Sequence, residues 1–261
     1  MKIIKFEKHG DKYKIYLDDK QVIETYEDVI LRNNLLYKKE ISEVDINRIN
    51  FKTIYSNVYH KLQKLISTKY RSEKWVRDYL KKNTDFDDLV KEEIINKLKK
   101  ANFINDERYA VAYTNDKINL SLDGPYKVVS DLAKENINMD DVVLKMYTSD
   151  IIQKRITKII SKKCLENKKY MGFMLEKRIC DYLKSMGYSA GDINSYKYLI
   201  KSNDDIALKE FEKAYTKYSK KLKDEKLYLK LKEVLYRHGI NSSEIDDLIV
   251  KKRLEESLKK L

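Results

Sequence analysis

Ile179-Cys180-Asp181-Tyr182-Leu183-Lys184-Ser185-Met186-Gly187-Tyr188-Ser189-Ala190-Gly191-Asp192 is the stretch whose reading decides the fold. Ile179 and Leu183 stand four residues apart and so share one face of a helix. Gly187 follows Leu183 by four residues and suits the left-handed conformation in which helices stop. Tyr188 then supplies an apolar contact. Ser189 offers an N-cap oxygen, and Asp192 stands three residues beyond it, the arrangement that satisfies the free amides of a new helix.

Working outward, the same pattern recurs. Leu80, Leu132, Leu183 and Leu235 are separated by 52, 51 and 52 residues. Val76, Val128, Ile179 and Leu231 precede them by four. Asn136 and Gly239 match Gly187, and Ile137 and Ile240 match Tyr188. Asn138-Met139-Asp140-Asp141 and Asn241-Ser242-Ser243-Glu244 match the capping segment, whereas Asn83-Thr84-Asp85-Phe86 is one residue longer. Agreement at this many offsets marks an internal repeat. A further helix is expected before each unit, at about 52–68, 106–120, 150–163 and 205–220.

Each unit is thus a set of about three helices, which must stack on its neighbours to bury its apolar face. The expected fold is all-α: tandem three-helix repeats in an elongated curved array. Its divisions are a small N-terminal cap at 1–47 and repeats at 48–123, 124–165 and 166–220, with a partial repeat at 221–261. In the cap, residues 2–8 and 12–17 alternate apolar and polar around His9-Gly10-Asp11, which reads as a β-hairpin. A third strand near Val22 and a helix over about 25–37 complete it.

Composition agrees with a helical chain. Six glycines and one proline are too few for a fold rich in hairpins. No apolar run is long enough to span a membrane. The N-terminus lacks the apolar core of a signal peptide. Cys164 and Cys180 sit in no metal-ligand pattern and read as small buried apolar residues in a reduced, cytoplasmic protein. The net charge of +13 suits a polyanionic partner, nucleic acid or an acidic protein surface. An AT-rich coding bias also raises Lys, though it does not favour Lys over Glu.

Two stretches carry most of the motif content. In Arg71-Ser72-Glu73-Lys74-Trp75-Val76-Arg77-Asp78-Tyr79-Leu80, Ser72 is an N-cap. Trp75, Val76, Tyr79 and Leu80 form an apolar stripe, and Lys74, Arg77 and Lys81 fall opposite. That basic row either tracks phosphates or acidic side chains, or is simply a solvated face. Trp75 reads as core rather than as a base-stacking platform. In Asn105-Asp106-Glu107-Arg108-Tyr109-Ala110, the acids read as helix capping, because adjacent helical residues diverge too far to act as a catalytic pair.

Basic residues also follow each aligned leucine: Lys81 and Lys82, Lys134, Lys184 and Arg237. They form either a positive track along the array or favourable partners for helix C-termini. His9, His60 and His238 have no metal spacing, and no phosphate loop, dinucleotide fingerprint or nucleophile elbow is present. The expected protein is not an enzyme and uses no cofactor.

At these residues the chain resembles the RecX family, bacterial regulators of the RecA recombinase. Arg71-Ser72-Glu73, Val76-Arg77-Asp78 and Leu80 resemble that family's opening helix. Asn105-Asp106-Glu107-Arg108-Tyr109-Ala110 resembles its Asp-Asp-Glu-Arg-Phe-Ala signature, with Asn105 in place of the first Asp. Gly124-Pro125, then Leu132 and Ile137, resemble the start of its second repeat. Glu27-Asp28-Val29-Ile30 and Asn34-Leu35-Leu36 are similar to the leader of longer Gram-positive members. Val129 stands where many members carry Arg, and Asn136 replaces a usual Gly.

The resemblance implies a monomeric protein that binds the helical groove of a RecA–DNA filament, modulating ATP hydrolysis and strand exchange, mostly as an inhibitor, in recombination and DNA repair. It also implies weaker binding to single- and double-stranded DNA and no membrane partner. Candidate contact residues are Arg71, Lys74, Arg77, Lys81, Lys82, Arg108, Lys127, Lys134, Lys184 and Arg237. The rival readings are a DNA-binding helical-repeat module and a non-catalytic scaffold.

Overall fold

A computed structural model describes residues 1–201 and 205–258. Residues 202–204, in the expected third repeat, and 259–261, at the end of the partial repeat, lie outside the described residues. Two compact units are present, 1–109 and 110–261.

In the first unit, β1 (Ile3–His9), β2 (Lys12–Leu17) and β3 (Val22–Tyr26) form an antiparallel sheet in that order. Gly10, at φ +61°, makes the expected turn between β1 and β2. Phe6, Ile15 and Ile23 pair across the strands on the face that meets the core. The helix expected over 25–37 is shorter. Residues 25 and 26 stay in β3, α1 spans Glu27–Arg32, and Asn34 in the left-handed region leads into a 3₁₀ turn, Leu35–Tyr37.

Helix α2 (Glu43–Thr68) begins well before the expected residue 52 and runs through the expected boundary at 47. Its start is set by a capping box in which Ser42 and Asp45 satisfy each other's backbone N–H. At 26 residues it is about 39 Å long, enough to serve two cores. Its first half, with Ile46 and Ile49, packs with Ile15, Leu17, Ile23, Val29 and Leu35. The Thr25 and Thr53 hydroxyls are joined at 2.6 Å where the sheet meets this half. Its second half, with Tyr59, Leu62 and Ile66, packs on α3 (Glu73–Asn83) and α4 (Asp88–Lys100) through Val76, Leu80, Ile94, Ile95 and Leu98.

Helix α5 (Asp106–Leu120) crosses from the first unit into the second. There follow α6 (Pro125–Lys134), α7 (Asp140–Met146), α8 (Ser149–Glu166), α9 (Gly172–Ser185), α10 (Ala190–Tyr196), α11 (Asp205–Tyr218), α12 (Asp224–Tyr236) and α13 (Ser242–Leu258). Helices α8, α9 and α10 share one core, around Ile156, Ile160, Leu175, Ile179, Leu183 and Ile193. Helices α11, α12 and α13 share another, around Phe211, Leu231, Leu235, Ile245 and Ile249. Cys164 and Cys180 are free thiols, half-buried rather than fully buried, at the margin of the first of these.

The aligned residues occupy equivalent places in α3, α6, α9 and α12. Val76, Leu80, Val128, Leu132, Ile179, Leu183, Leu231 and Leu235 are each at most 1% exposed. After the last three helices, Asn136, Gly187 and Gly239 have φ of +60°, +84° and +92°. The next N–H in each case bonds back to the leucine carbonyl: Ile137 to Leu132, Tyr188 to Leu183 and Ile240 to Leu235, at 3.0–3.2 Å. Helix α3 differs, because Thr84 is extended and no left-handed residue follows it. The equivalent turn comes one helix later, with Asn102 at φ +58° and Phe103 N–H bonding to Leu98.

The new helices begin partly as expected. Ser189 accepts from Asp192 N–H and Asn241 from Glu244 N–H. Asn138 does not cap α7, since that position falls to Met139 without a side-chain bond. Helix α4 is capped by Asp87 rather than by a residue of 83–86, because the loop after α3 is longer.

Candidate interaction surfaces

Three of the recurring helices meet end to end within the second unit. At the N-terminus of α6, Gly124 N–H donates to Met186 O at 2.6 Å and Tyr126 N–H to Gly187 O at 3.1 Å, both just past the end of α9. The N-terminus of α9 repeats this against the end of α12, where Met171 N–H donates to His238 O at 2.9 Å. Free N–H groups of one helix thus satisfy free carbonyls of another, with the helix dipoles in favourable sequence. Backbones touch at both places. A Cβ on Gly124 would lie 2.5 Å from Gly187 O, and one on Gly172 would lie 2.6 Å from Gly239 O. Nothing in the side-chain pattern announces this docking.

A polar node holds the loop before α6. Arg155, only 7% exposed, donates to the carbonyls of Lys117, Ile118 and Ser121 at the end of α5. The Tyr147 hydroxyl donates to Asp123 O and that of Tyr188 to Leu122 O. Burial pushes the Tyr147 phenol up to about 12. Burial alone would raise the Asp123 carboxyl, but Lys117 and Lys127, at 2.7 and 2.9 Å, outweigh it and hold the group below the usual carboxylate range. Arg155 and Tyr147 were not singled out from sequence, and the hydroxyl contact of Tyr188 was not foreseen, because a buried Arg and two tyrosines just past the ends of separate helices carry no local signature.

The basic candidates fall into three groups. On α3 and just before it, Arg71 lies with its guanidinium 4.5 Å from the Trp75 ring, and Trp75 stacks on Tyr79 at the edge of the core. Arg77 pairs with Glu73 and with Glu92 of α4, first through Glu92 and then Glu73, and its basicity rises. Glu73 also holds Lys99. Lys74 is half-buried, while Lys81 and Lys82 are exposed in the last turn of α3, near the end of its dipole. Arg77 therefore ties α3 to α4 as well as facing outward.

Arg108 is exposed, and its backbone N–H bonds to the Asn105 side chain, the cap of α5. Asp106 does something the sequence reading missed: its Oδ1 accepts from Glu73 N–H at 2.8 Å, capping α3 from 33 residues away.

In the second unit, Lys127 pairs with Asp123, Lys134 with Asp131 and Arg237 with Glu233, while Lys184 lies 3.8 Å from Asp181. Lys134, Lys184 and Arg237 are exposed at the ends of α6, α9 and α12. The docking sets the backbone of Lys127 against Gly187, three residues beyond Lys184. Among the described residues there is no cluster of three or more potential metal ligands, and no helix is long and apolar enough to cross a membrane.

Comparison with known proteins covers nearly the whole chain. A protein called regulatory protein RecX from Streptococcus pneumoniae is 32% identical over 260 residues, spanning 94% of this chain and 97% of its own. A regulatory protein RecX from Bacillus velezensis is 29% identical over 255 residues, 95% of this chain and 97% of its own. A crystal structure of regulatory protein RecX superposes with a TM-score of 0.64 at 25% identity, covering 76% of this chain and 98% of that one. No family model matches the chain.

Proposed function

Because the chain belongs to the RecX family of regulatory proteins, we propose that it regulates the RecA recombinase by binding along the RecA–DNA filament, lowering its rates of ATP hydrolysis and strand exchange. In this reading the divisions at 48–123, 124–165, 166–220 and 221–261 are successive repeats of one array, and the protein acts as a cytoplasmic monomer without a catalytic centre.

One observation carries the proposal furthest. Beyond each buried leucine of α3, α6, α9 and α12 stands an exposed cation: Lys81 and Lys82, Lys134, Lys184 and Arg237. Sites spaced along a repeat suit a partner that is itself repetitive, and their charge suits an acidic protein surface or phosphates. The i, i+3 and i, i+4 acids beside Lys134, Lys184 and Arg237 do not remove these cations from use. Exposed pairs of that kind are weak and exchange readily for a better partner. Regulation then needs no chemistry, since a ligand that favours one filament state shifts the population toward it.

DNA is the second partner, bound more weakly in single- and double-stranded form. Lys154 and Lys158, exposed on successive turns of α8, support that reading, because neither is held by an acid among the described residues. The test is RecA ATPase activity on single-stranded DNA with and without this protein. A rate that falls and saturates with added protein supports the proposal, and an unchanged rate at saturation overturns it.

A further inference from the structure

One hollow of the first unit is lined by more acids than bases, in a chain whose net charge is positive. A cavity of about 580 Å³ opens among the β1–β2 turn, the start of α1, and α2 and α4, a size typical of ligand sites. Asp11, Glu27 and Asp28 line it, three carboxylates in a chain of net charge +13. Asp28 Oδ1 is buried and accepts no hydrogen bond. A buried acceptor left unmet is costly, which favours a turn of the carboxylate toward any donor at the cavity wall. The same carboxylate also borders a second hollow of about 200 Å³, beside Arg32 and Tyr55.

Aromatic rings form much of the remaining lining. Tyr26 and His60 lie with centroids 4.7 Å apart, and Tyr59 lies beyond His60 at 5.9 Å. Lysines of the chain already face two of these rings, with the Lys97 ammonium 4.0 Å from the Tyr59 centroid and the Lys12 ammonium 5.3 Å from that of Tyr26. Cations are therefore what this aromatic surface accepts. Lys64, the other lysine of the lining, is exposed and able to swing outward.

We infer that this cavity receives an arginine side chain of a partner protein. A guanidinium is planar, stacks on Tyr or His rings, and donates in a fork that matches a carboxylate such as Asp28. An ammonium has no plane to stack. A nucleotide would bring its phosphate against Asp11, Glu27 and Asp28, which outnumber the lining lysines Lys64 and Lys97, so the cavity disfavours polyanions. The inference goes beyond the filament reading and does not depend on it, because any partner displaying an arginine would serve.

The test is titration of the full-length protein with the blocked tripeptide acetyl-Gly-Arg-Gly-amide, followed by two-dimensional amide NMR. Shifts that saturate at residues 26–28 and 59–64, with Kd on the order of 1 mM, are expected. The lysine counterpart should bind about fivefold more weakly. Asp28→Asn should weaken binding about tenfold, and His60→Ala, at an exposed position, should weaken it about threefold without affecting the fold. Guanosine monophosphate should leave these signals unmoved. The inference is overturned by absence of localised shifts at about 10 mM peptide, by equal response to the lysine peptide, by preferential binding of the nucleotide, or by an undiminished response in both variants.

Discussion

Helices α3 and α9 each carry a buried apolar pair four residues apart, Val76 and Leu80 in one and Ile179 and Leu183 in the other, yet they are held in different ways. Around α3 the ties are side chains: Arg77 to Glu92, Glu73 to Lys99, and the Asp106 carboxylate on Glu73 N–H. Around α9 the ties at both ends are backbone to backbone, through Met171 to His238 and through Gly124 and Tyr126 to Met186 and Gly187. Side-chain ties tolerate substitution and respond to salt. Backbone ties have no side chain to remove, respond little to salt, and fail when a Cβ is forced between the chains. Two helices with alike apolar pairs are thus stabilised by two kinds of contact with different weaknesses.

The largest effect expected from that contrast is at Gly187. An alanine there must hold φ +84° and place its Cβ against the backbone of Lys127, so Gly187→Ala should cost about 3 kcal/mol in urea unfolding. Gly10→Ala, with a similar φ but open space around it, should cost only about 1 kcal/mol. Equal losses would show that the docking adds nothing. Arg155→Met comes next. It strands carbonyls of Lys117, Ile118 and Ser121 and should cost about 2 kcal/mol, with little dependence on salt because, unlike the exposed ties around α3, this guanidinium is buried.

In the first unit, Asp106→Ala removes a distant cap and should cost about 1 kcal/mol. Arg77→Met should cost less, about 0.5 kcal/mol after allowance for solvent screening, and the difference should shrink in about 1 M NaCl. A loss at Arg77 as large as that at Gly187 would erase the distinction between the two regions.

Acidity sharpens it further. Asp123 has its folded pKa below its unfolded one, so the stability it contributes is complete above the unfolded value, near ~3.9, and is lost as pH falls through the folded value. Asp123→Asn should flatten the acid limb of the stability curve. Unchanged curvature would show that Lys117 and Lys127 do not act through this carboxylate.

The parts of the fold legible in the sequence are those written in local chemistry. Leu80, Leu132, Leu183 and Leu235 were legible because each ends a helix with the same partner four residues earlier. Asn136 was legible because only a few residue types tolerate φ near +60°. The start of α2 was not, since the Ser42 capping box lies ahead of a polar first turn whose apolar stripe had not yet begun to repeat. Asn138 misled because Met139 and Asp140 take the helix start without it. The Asp106 cap, the Arg155 node and the glycine docking are tertiary contacts, and single residues separated by tens of positions give no periodic signal. Of the surface candidates, the lysines at helix ends stand where the sequence puts them, and the acids four residues before Arg77 and Lys127 are visible there too, but nothing local shows that Arg77 also reaches Glu92 of α4.

The measurement closest to the central claim is binding of the labelled protein to preformed RecA filaments and to free single-stranded DNA, side by side, as salt is raised to about 200 mM. A phosphate-dominated contact loses several orders of magnitude of affinity over such a range. Binding to free DNA is expected to disappear while the filament still retains the protein. Parallel loss from both would contradict it, and would identify the chain as a DNA-binding module whose influence on the recombinase is indirect.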